Sequence, residues 1–210
     1  ENNLARLGDG TQTDRSTPVQ IGLGNDWAYI ESAQGYGHSH GIKNDGTLWG
    51  WGNNGDRQVG DSTATQPITS PSQLGSDTDW TMVQNGGWHS LAIKNDGTLW
   101  AWGKDSSGQL GDGTADATDT AVPTQVGSDT DWEFAVAGSN HTILLKDDGT
   151  IYGIGANDYG QLGVGDTANR SVTTQIGSDN NWTKIATSGK NTLALKLDGT
   201  LWGWGRNYTG

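Results

Sequence analysis

The stretch WTMVQNGGWHSLAIKNDGTLWAWG, residues 80–103, contains three short apolar segments separated by turn-forming residues. Residues 80–83 and 90–94 alternate apolar and polar side chains, which is typical of strands with one buried face. Asn95, Asp96 and Gly97 separate the second segment from the third, and these residue types tolerate the positive φ that tight β-turns demand. The stretch therefore predicts three antiparallel strands.

A fourth apolar segment, residues 122–126, follows after a polar loop. Its proline, Pro123, suits the edge of a sheet, where a strand needs no backbone donor on its outer side. Four short strands without any helical periodicity describe one blade of a β-propeller. Residues 80–126 are therefore predicted to form one four-stranded blade.

This unit recurs along the chain. The tripeptide Asp-Gly-Thr returns at intervals of 51, 52 and 50 residues, and a tryptophan that follows Asp or Asn returns at intervals of 53, 52 and 50. The two markers begin at Asp45, Asp96, Asp148 and Asp198 and at Trp27, Trp80, Trp132 and Trp182. Two independent markers in step establish an internal repeat. We therefore predict an all-β chain, a β-propeller of about four blades.

The chain is predicted to be a single propeller region, 1–210, with repeats at about 1–26, 27–79, 80–131, 132–181 and 182–210, of which the first and last are partial. Residues 7–9 match residues 110–112, so the chain starts and stops in equivalent loops. Residues 18–22 then resemble a fourth strand without a blade, and residues 182–205 resemble three strands without a fourth. Pairing these two segments would close the ring and remove an exposed sheet edge.

Three arrangements satisfy this pairing. The chain could close on itself as a four-bladed ring, two chains could join head to tail as an eight-bladed homodimer, or the chain could be a fragment of a longer array. The near-identity of the repeats favours assembly through interchangeable interfaces, and a head-to-tail pair closes without forming fibres.

Composition restricts the classes of partner. The chain contains 34 Gly, 11 Trp and no Cys, and the net charge is 12 − 24 = −12. The tryptophans argue against disorder, and the missing cysteines exclude disulfides, thiolate zinc sites and a cysteine nucleophile. The acidic charge disfavours nucleic acid and anionic lipid, and no apolar run approaches a membrane span. We expect an extracellular or bacterial cell-surface protein without nucleic-acid binding or membrane insertion.

The residues that carry the repeat resemble a known family. A glycine, two further residues, a histidine and then Ser or Thr recur at 35–39, 86–90 and 138–142, whereas Ser188 and Asn191 replace the glycine and the histidine in the fourth copy. Gly-Gln-Leu-Gly occurs at 108–111 and 160–163. This pattern resembles the RCC1 (regulator of chromosome condensation) repeat, which implies a propeller that serves as a scaffold for diverse functions.

Residues that recur at equivalent positions of most repeats are interpreted as structural. Asn191 stands where the other repeats have His, which favours a hydrogen-bonding role for the histidines over a metal cluster. The tryptophans are predicted to pack between blades and the glycines to form turns. Asp77 with Asp79, and Asp129 with Asp131, are the better cation candidates, but solvated loop acids are favoured. The structural set is His38, His89, His141, Trp49, Trp51, Trp100, Trp102, Trp202, Trp204, Gly46, Gly97, Gly149 and Gly199.

Residues that break the repeat are better candidates for binding a partner, because the scaffold does not require them. Aromatic or cationic side chains on a rigid loop are the usual anchors of protein interfaces. On this basis the predicted partner-binding residues are Trp88, Tyr36, His40, Tyr159 and Lys190.

The function predicted from these features is a non-enzymatic scaffold that binds another protein or assembles through its blade loops. No catalytic residue, metal ligand or cofactor is expected, because the chain lacks a unique constellation of reactive side chains. The family resemblance implies two alternatives. One is guanine-nucleotide exchange on a small GTPase, although no blade carries an inserted wedge, and the other is a propeller that inhibits an enzyme.

Overall fold

The computed structural model describes residues 1–33, 37–62, 66–115 and 118–207, and within these ranges the chain forms fifteen strands and no helix. The strands assemble into four antiparallel sheets, here called blades 1 to 4. Blade 1 contains β1 (Trp27–Ser32), β2 (His38–Lys43), β3 (Leu48–Gly52) and β4 (Ile68–Gln73). Blade 2 contains β5 (Trp80–Asn85), β6 (His89–Lys94), β7 (Leu99–Gly103) and β8 (Thr120–Gln125). Blade 3 contains β9 (Trp132–Ala137), β10 (His141–Lys146), β11 (Ile151–Gly155) and β12 (Arg170–Gln175), and blade 4 contains β13 (Trp182–Ser188), β14 (Asn191–Lys196) and β15 (Leu201–Gly205).

Each blade is a meander whose second and third strands are joined by the Asp-Gly-Thr turn. In blade 2 the carboxylate of Asp96 accepts hydrogen bonds from the backbone N–H of Thr98 at 3.0 Å and from its hydroxyl at 2.7 Å. Gly97 adopts a φ of 77°, a left-handed conformation that favours glycine. The same turn forms in the other three blades. The predicted all-β architecture of four-stranded blades is confirmed.

The apolar core is divided into layers between neighbouring blades. Between blades 2 and 3, Leu91 and Leu99 of blade 2 pack against Trp132 and Leu144 of blade 3. Equivalent clusters join blade 1 to blade 2 and blade 3 to blade 4. Blades 2 and 3, which have a blade on each side, therefore bury both of their faces with few residues, and this is how a chain with only 31% hydrophobic residues forms a core.

The first strands of neighbouring blades contact one another, so β1, β5, β9 and β13 form the inner side of an arc. The fourth strands, β4, β8 and β12, form the outer edges of their sheets.

Residues 1–26 form no strand and pack against blade 1. Trp51 Nε1 donates to the backbone carbonyl of Arg6 at 2.9 Å, and the backbone N–H of Gly10 donates to the carbonyl of Thr69 at 2.8 Å. Residues 18–22 lie at this end of the arc, whereas the three-stranded blade 4 lies at the other. In the described part of the chain, therefore, the fourth strand predicted at 18–22 does not pair with β15, and the arc is open.

Candidate functional site

The histidines of the repeat lie at the junctions between blades, where each ring meets a hydroxyl of the next blade. The rings are fully buried, and the hydroxyl contacted in blade 2 donates its own proton to the carbonyl of Gln58 at 2.8 Å. Thr192 likewise donates to the carbonyl of Gln161 at 2.8 Å, so Nε2 of His38 and of His141 carries the proton that it donates to the hydroxyl oxygen. The three contacts are His38 to Ser90 at 3.1 Å, His89 to Thr142 at 2.9 Å and His141 to Thr192 at 3.3 Å.

Burial keeps these rings neutral. Desolvation lowers the pKa of His89 from 6.5 to about 3 and that of His141 to about 4. The pKa of His38 also falls well below its ordinary value, because of burial first and the neighbouring His40 and His89 second. The histidines thus join blades without placing a cation between them.

Strands β3, β7 and β15 each carry a pair of tryptophans. The second tryptophan of each pair donates a hydrogen bond to a loop of the preceding blade or, in blade 1, to the N-terminal segment. The carbonyl of Gln58 accepts Trp102 Nε1 at 3.0 Å besides the hydroxyl of Ser90, and the carbonyl of Gln161 accepts Trp204 Nε1 at 3.0 Å. The carbonyl of Arg6 accepts Trp51 Nε1 in the same way. These loops therefore set the distance between consecutive blades.

The first tryptophan of each pair packs against a lysine of its own blade. Lys94 Nζ lies 4.7 Å from the ring centre of Trp80 and 4.5 Å from that of Trp100, and it contacts Asp77 at 2.6 Å and Asp79 at 3.1 Å. A cation between aromatic faces is favourable, and here two carboxylates add to it. The corresponding lysines are Lys43 with Trp27 and Trp49, Lys146 with Trp132 and Tyr152, and Lys196 with Trp182 and Trp202.

The acid pairs considered for cation binding take part in these clusters. Asp77 and Asp79 contact Lys94, and Asp129 and Asp131 contact Lys146 at 2.6 and 3.0 Å. Across the described residues no three His, Asp or Glu side chains come close enough to form a metal site. The four ranges also contain no helix long and apolar enough to cross a bilayer.

The inner side of the arc holds a depression of about 420 Å³. The first strands of all four blades line it, together with the turns that follow them. Phe134, which is 39% exposed, is the one aromatic residue among the described residues that line it. Glu31 lies in the wall of blade 1, where burial raises the pKa of its carboxyl group.

Several of these turns lie on one face of the arc, here called the loop face. This face consists of the turns before each second strand and the loops after each third strand, which are hydrogen-bonded to one another. In blade 2 the backbone N–H of Lys104 donates to the carbonyl of Trp88, and in blade 4 that of Arg206 donates to the carbonyl of Lys190.

Aromatic and cationic side chains meet at two junctions of the loop face. Between blades 1 and 2, Lys104 Nζ lies 5.6 Å from the ring centre of Trp88 and 3.1 Å from the carboxylate of Asp56. Between blades 3 and 4, Tyr159 lies 4.4 Å from Lys190 Nζ and 5.2 Å from the Arg206 guanidinium carbon. These aromatic rings are half-buried, so they combine a fixed position with an accessible surface.

The structure thus places three of the five predicted partner-binding residues on the loop face: Trp88, Tyr159 and Lys190. Tyr36 lies outside the described residues. The prediction for His40 is wrong, because this ring is fully buried and its two nitrogens contact the Asn85 side-chain oxygen at 2.7 Å and the Val59 carbonyl at 2.9 Å. A fully buried side chain cannot anchor a partner.

Two residues of this surface, Lys104 and Arg206, were missed by the sequence analysis. Their signal was available, since Ala156 occupies the equivalent position in blade 3 and Asn53 in blade 1. Arg206, however, contacts Tyr159 of a different repeat, and this contact cannot be read from either repeat alone. Lys104 and Trp88 belong to one repeat, but they meet only because the folded turn and loop bring them together.

A family model described as the regulator of chromosome condensation (RCC1) repeat matches residues 45–93, 96–145 and 148–195, and a second model with the same description matches 182–210. The ultraviolet-B receptor UVR8 of Arabidopsis thaliana is 33% identical over 170 residues, which cover 78% of this chain and 37% of the receptor. The chain therefore spans well under half of this curated relative.

Solved structures show the same fold. Human WBSCR16 superimposes with a TM-score of 0.82 at 21% identity, and the match covers 99% of this chain and 56% of that one. Yeast RCC1 (Prp20), solved bound to Kap60, superimposes with a TM-score of 0.80 at 19% identity over 91% of this chain and 46% of that one. The four blades thus correspond to about half of each solved chain.

Proposed function

The chain belongs to the regulator of chromosome condensation (RCC1) repeat family, and we propose that it is a non-enzymatic scaffold that binds a protein partner through its loop face. The two aromatic and cationic clusters of the loop face are the proposed contact residues. They are Trp88 with Lys104, and Tyr159 with Lys190 and Arg206.

One observation carries this proposal: the clusters are present at two blade junctions and are replaced at the third. Between blades 2 and 3, the positions equivalent to Trp88 and Lys104 hold Asn140 and Ala156, and Ser107 stands where Tyr159 would be. That junction nevertheless has the same His-to-hydroxyl contact as the others. The scaffold therefore does not need these aromatic and basic side chains, and binding a partner accounts for them.

The physical properties of the clusters favour protein recognition. A half-buried tryptophan offers a large rigid surface that loses little conformational entropy on binding, and such residues dominate many interface energies. The neighbouring Lys104 covers part of the ring of Trp88 and is itself paired with Asp56, so the anchor is held before a partner arrives.

The family adds general support. Yeast RCC1, which shares the fold, was solved as a complex with the protein Kap60. This chain spans only part of the length of its relatives, so their partners are not assigned to it. Its own partner has to be identified by experiment.

Site-specific photocrosslinking tests the proposal. A photoreactive amino acid at position 88 should crosslink a discrete partner in extracts of the source cells, whereas the same group at Val122, 46% exposed on β8, should not. The crosslinked protein is then identified and purified. Equal crosslinking from both positions would argue against the loop face as the binding site.

Calorimetry with the purified partner measures the binding affinity. Trp88→Asn introduces the residue that blade 3 carries at this position, so the blade should still fold, and we expect affinity to fall by at least about tenfold. Val122→Asn is the matched control and should leave affinity unchanged. An unchanged affinity for Trp88→Asn would contradict the proposal. Release of guanine nucleotide from a small GTPase, stimulated by the chain and lost in Trp88→Asn, would instead make it an exchange factor.

A further inference from the structure

The loop after β3 contains an arginine in a backbone conformation that favours glycine. Arg57 adopts a φ of 61°, in the left-handed region. The equivalent positions of blades 2 and 3 hold Gly108 and Gly160, with φ angles of 77° and 72°. A side chain at this position strains the backbone, so the fold by itself favours glycine there. The shape of the loop therefore does not explain the arginine.

Packing does not explain the side chain of Arg57 either. The N-terminal segment has Ala5 at the equivalent position, with a φ of 55°, and the methyl group of Ala5 is fully buried. Arg57 is instead exposed on the loop face. Its backbone N–H donates to the carbonyl of Asn54 at 3.2 Å, and its carbonyl accepts the N–H of Gly60 at 3.0 Å. The backbone alone makes these bonds, so the turn closes without the arginine side chain.

The guanidinium group of Arg57 also lacks a counter-ion. Seven of the twelve Lys and Arg residues form ion pairs with carboxylates in the described part of the chain. Among the same described residues, the side chain of Arg57 forms neither an ion pair nor a hydrogen bond. The adjacent Asp56 pairs with Lys104 at 3.1 Å instead. An exposed guanidinium without a counter-ion is available to a partner.

Arg57 belongs to the charged group beside Trp88. The carboxyl group of Asp119 lies within electrostatic reach of three charged side chains, those of Asp56, Lys104 and Arg57. Burial is the largest cause that raises the pKa of Asp119, followed by the charge of Asp56, and the two cations oppose the rise. Since Lys104 Nζ also lies against the ring of Trp88, the guanidinium is part of the same region of the loop face.

The second cluster of the loop face carries a comparable cation. Lys190 is half-buried, its Nζ lies 4.4 Å from the ring centre of Tyr159, and it forms no ion pair with the residues that the structure describes. At the junction between blades 2 and 3, the position of Lys190 holds Asn140 and that of Arg57 holds Gly108. Each aromatic cluster therefore comes with a cation that lacks a counter-ion, and the junction without a cluster has neither.

We propose that the protein partner presents carboxylates to the loop face, one to Arg57 beside Trp88 and one to Lys190 beside Tyr159. This inference rests on the proposed function, because it gives the chemistry of the partner that the loop face binds. A guanidinium group donates two parallel hydrogen bonds to a carboxylate, and such charge-assisted bonds are stronger than neutral ones. The charge of −12 on the whole chain repels acidic proteins at long range, so the attraction is local. It selects a partner whose acidic residues match the positions of the two cations.

Calorimetry with the partner that is crosslinked at position 88 and purified tests the carboxylate contacts. Arg57→Gln and Lys190→Gln should each weaken binding by about five- to tenfold, because each leaves a partner carboxylate without its cation. Lys184→Gln is the matched control and should leave affinity unchanged. It removes the same charge from an exposed position near the start of β13, at the end of blade 4 away from the loop face.

Unchanged or tighter binding by either loop-face variant would overturn the proposal, since a partner with a basic surface would gain from the loss of a cation. Trp88→Asn distinguishes this failure from failure of the proposed function. If Trp88→Asn still weakened binding, the loop face would remain the binding site, but of a partner without the acidic surface. If it left binding unchanged, the proposed function would fail as well.

Ionic strength separates charge pairing from packing. The ratio of affinities between the unaltered chain and Arg57→Gln should shrink by at least about half when NaCl is raised from about 50 mM to about 500 mM, because salt screens accessible charge pairs. A ratio that does not change with salt would show that Arg57 contributes through its aliphatic stem, and would overturn its pairing with a carboxylate.

Arg57→Gly separates binding from folding. The substitution introduces the residue that blades 2 and 3 carry and relieves the left-handed strain, so the midpoint of urea unfolding should rise by about 0.3 M. Affinity for the partner should fall as it does in Arg57→Gln. A lower unfolding midpoint would show that the arginine stabilises the folded chain, and would overturn its assignment to a partner.

Discussion

The buried histidine is the residue that joins one blade to the next. Its Nε2 contacts a hydroxyl 51 to 53 residues further along the chain, and that spacing equals the repeat length. Burial holds the ring neutral in the folded state, so the junction is sensitive to acid, because protonation of the histidine in the unfolded state competes with folding.

His89→Asn tests this coupling. The pKa of His89 falls from 6.5 to about 3 on folding, so between these values the unfolded chain binds more protons and stability falls as pH falls. The unaltered chain should therefore lose up to about 1.4 kcal/mol per pH unit more than His89→Asn below about pH 6. Urea unfolding of both proteins from neutral pH to pH 5 measures the difference.

Asn191 supplies the precedent for this substitution, since asparagine occupies the histidine position of blade 4. Carboxylates titrate in both proteins and cancel in the comparison. Parallel stability profiles for the two proteins would contradict a neutral buried His89.

At the scale of the element, the Asp-Gly-Thr turn has two structural roles. It closes the hairpin between the second and third strands, and it also packs against the segment that leads into the next blade. The carbonyl of Gly97 accepts the backbone N–H of Trp132 at 3.2 Å, so one turn contributes both to its own blade and to the following junction.

A pair of glycine substitutions separates these two contributions. Gly97 and Gly199 have similar positive φ angles, 77° and 83°, so alanine strains both backbones by about 1–2 kcal/mol. Only at Gly97 would the new Cβ also clash with the Thr130 carbonyl. Gly97→Ala should therefore lower the free energy of unfolding by about 1–3 kcal/mol more than Gly199→Ala, measured by urea denaturation. Equal losses would show that the contact between this turn and the next blade adds nothing to stability.

At the scale of the whole molecule, stability is expected to depend on position along the arc. Interior blades are covered on both faces, whereas blade 4 is covered only by blade 3, and repeat arrays gain stability from nearest-neighbour contacts. Local opening should therefore be easiest at the ends.

Hydrogen exchange measures this gradient. The amides of β14 (Asn191–Lys196) should exchange at least about tenfold faster than those of β6 (His89–Lys94), with β10 as a second interior reference. Uniform protection of β6, β10 and β14 would contradict the expected gradient.

The sequence alone was sufficient for features that depend on neighbours in the chain. Alternating side chains specify strands, Asn-Asp-Gly specifies the turn, and the spacing of Trp80, Trp132 and Trp182 specifies the repeat. The repeat logic also led to Trp88, Tyr159 and Lys190, because a residue that one repeat has and another lacks is visible without a structure.

Other features required the tertiary structure because they join residues of different blades or residues well separated within one blade. His40 breaks the repeat like a surface residue, yet Asn85 and the Val59 carbonyl satisfy it inside a junction. The pairing of Asp77 and Asp79 with Lys94 likewise depends on a loop folding back over its own blade.

The sequence by itself determined the blade, its strands, its turns and the number of repeats, since hydrophobic periodicity and turn chemistry act over a few residues. The tertiary structure decided which faces are buried, which histidines are neutral and that the arc is open, with apolar surface at both ends. The physical reason is that burial depends on the neighbouring blade. Equivalent positions of the repeat, such as Leu99 and Leu201, are buried or exposed according to whether a blade packs over them.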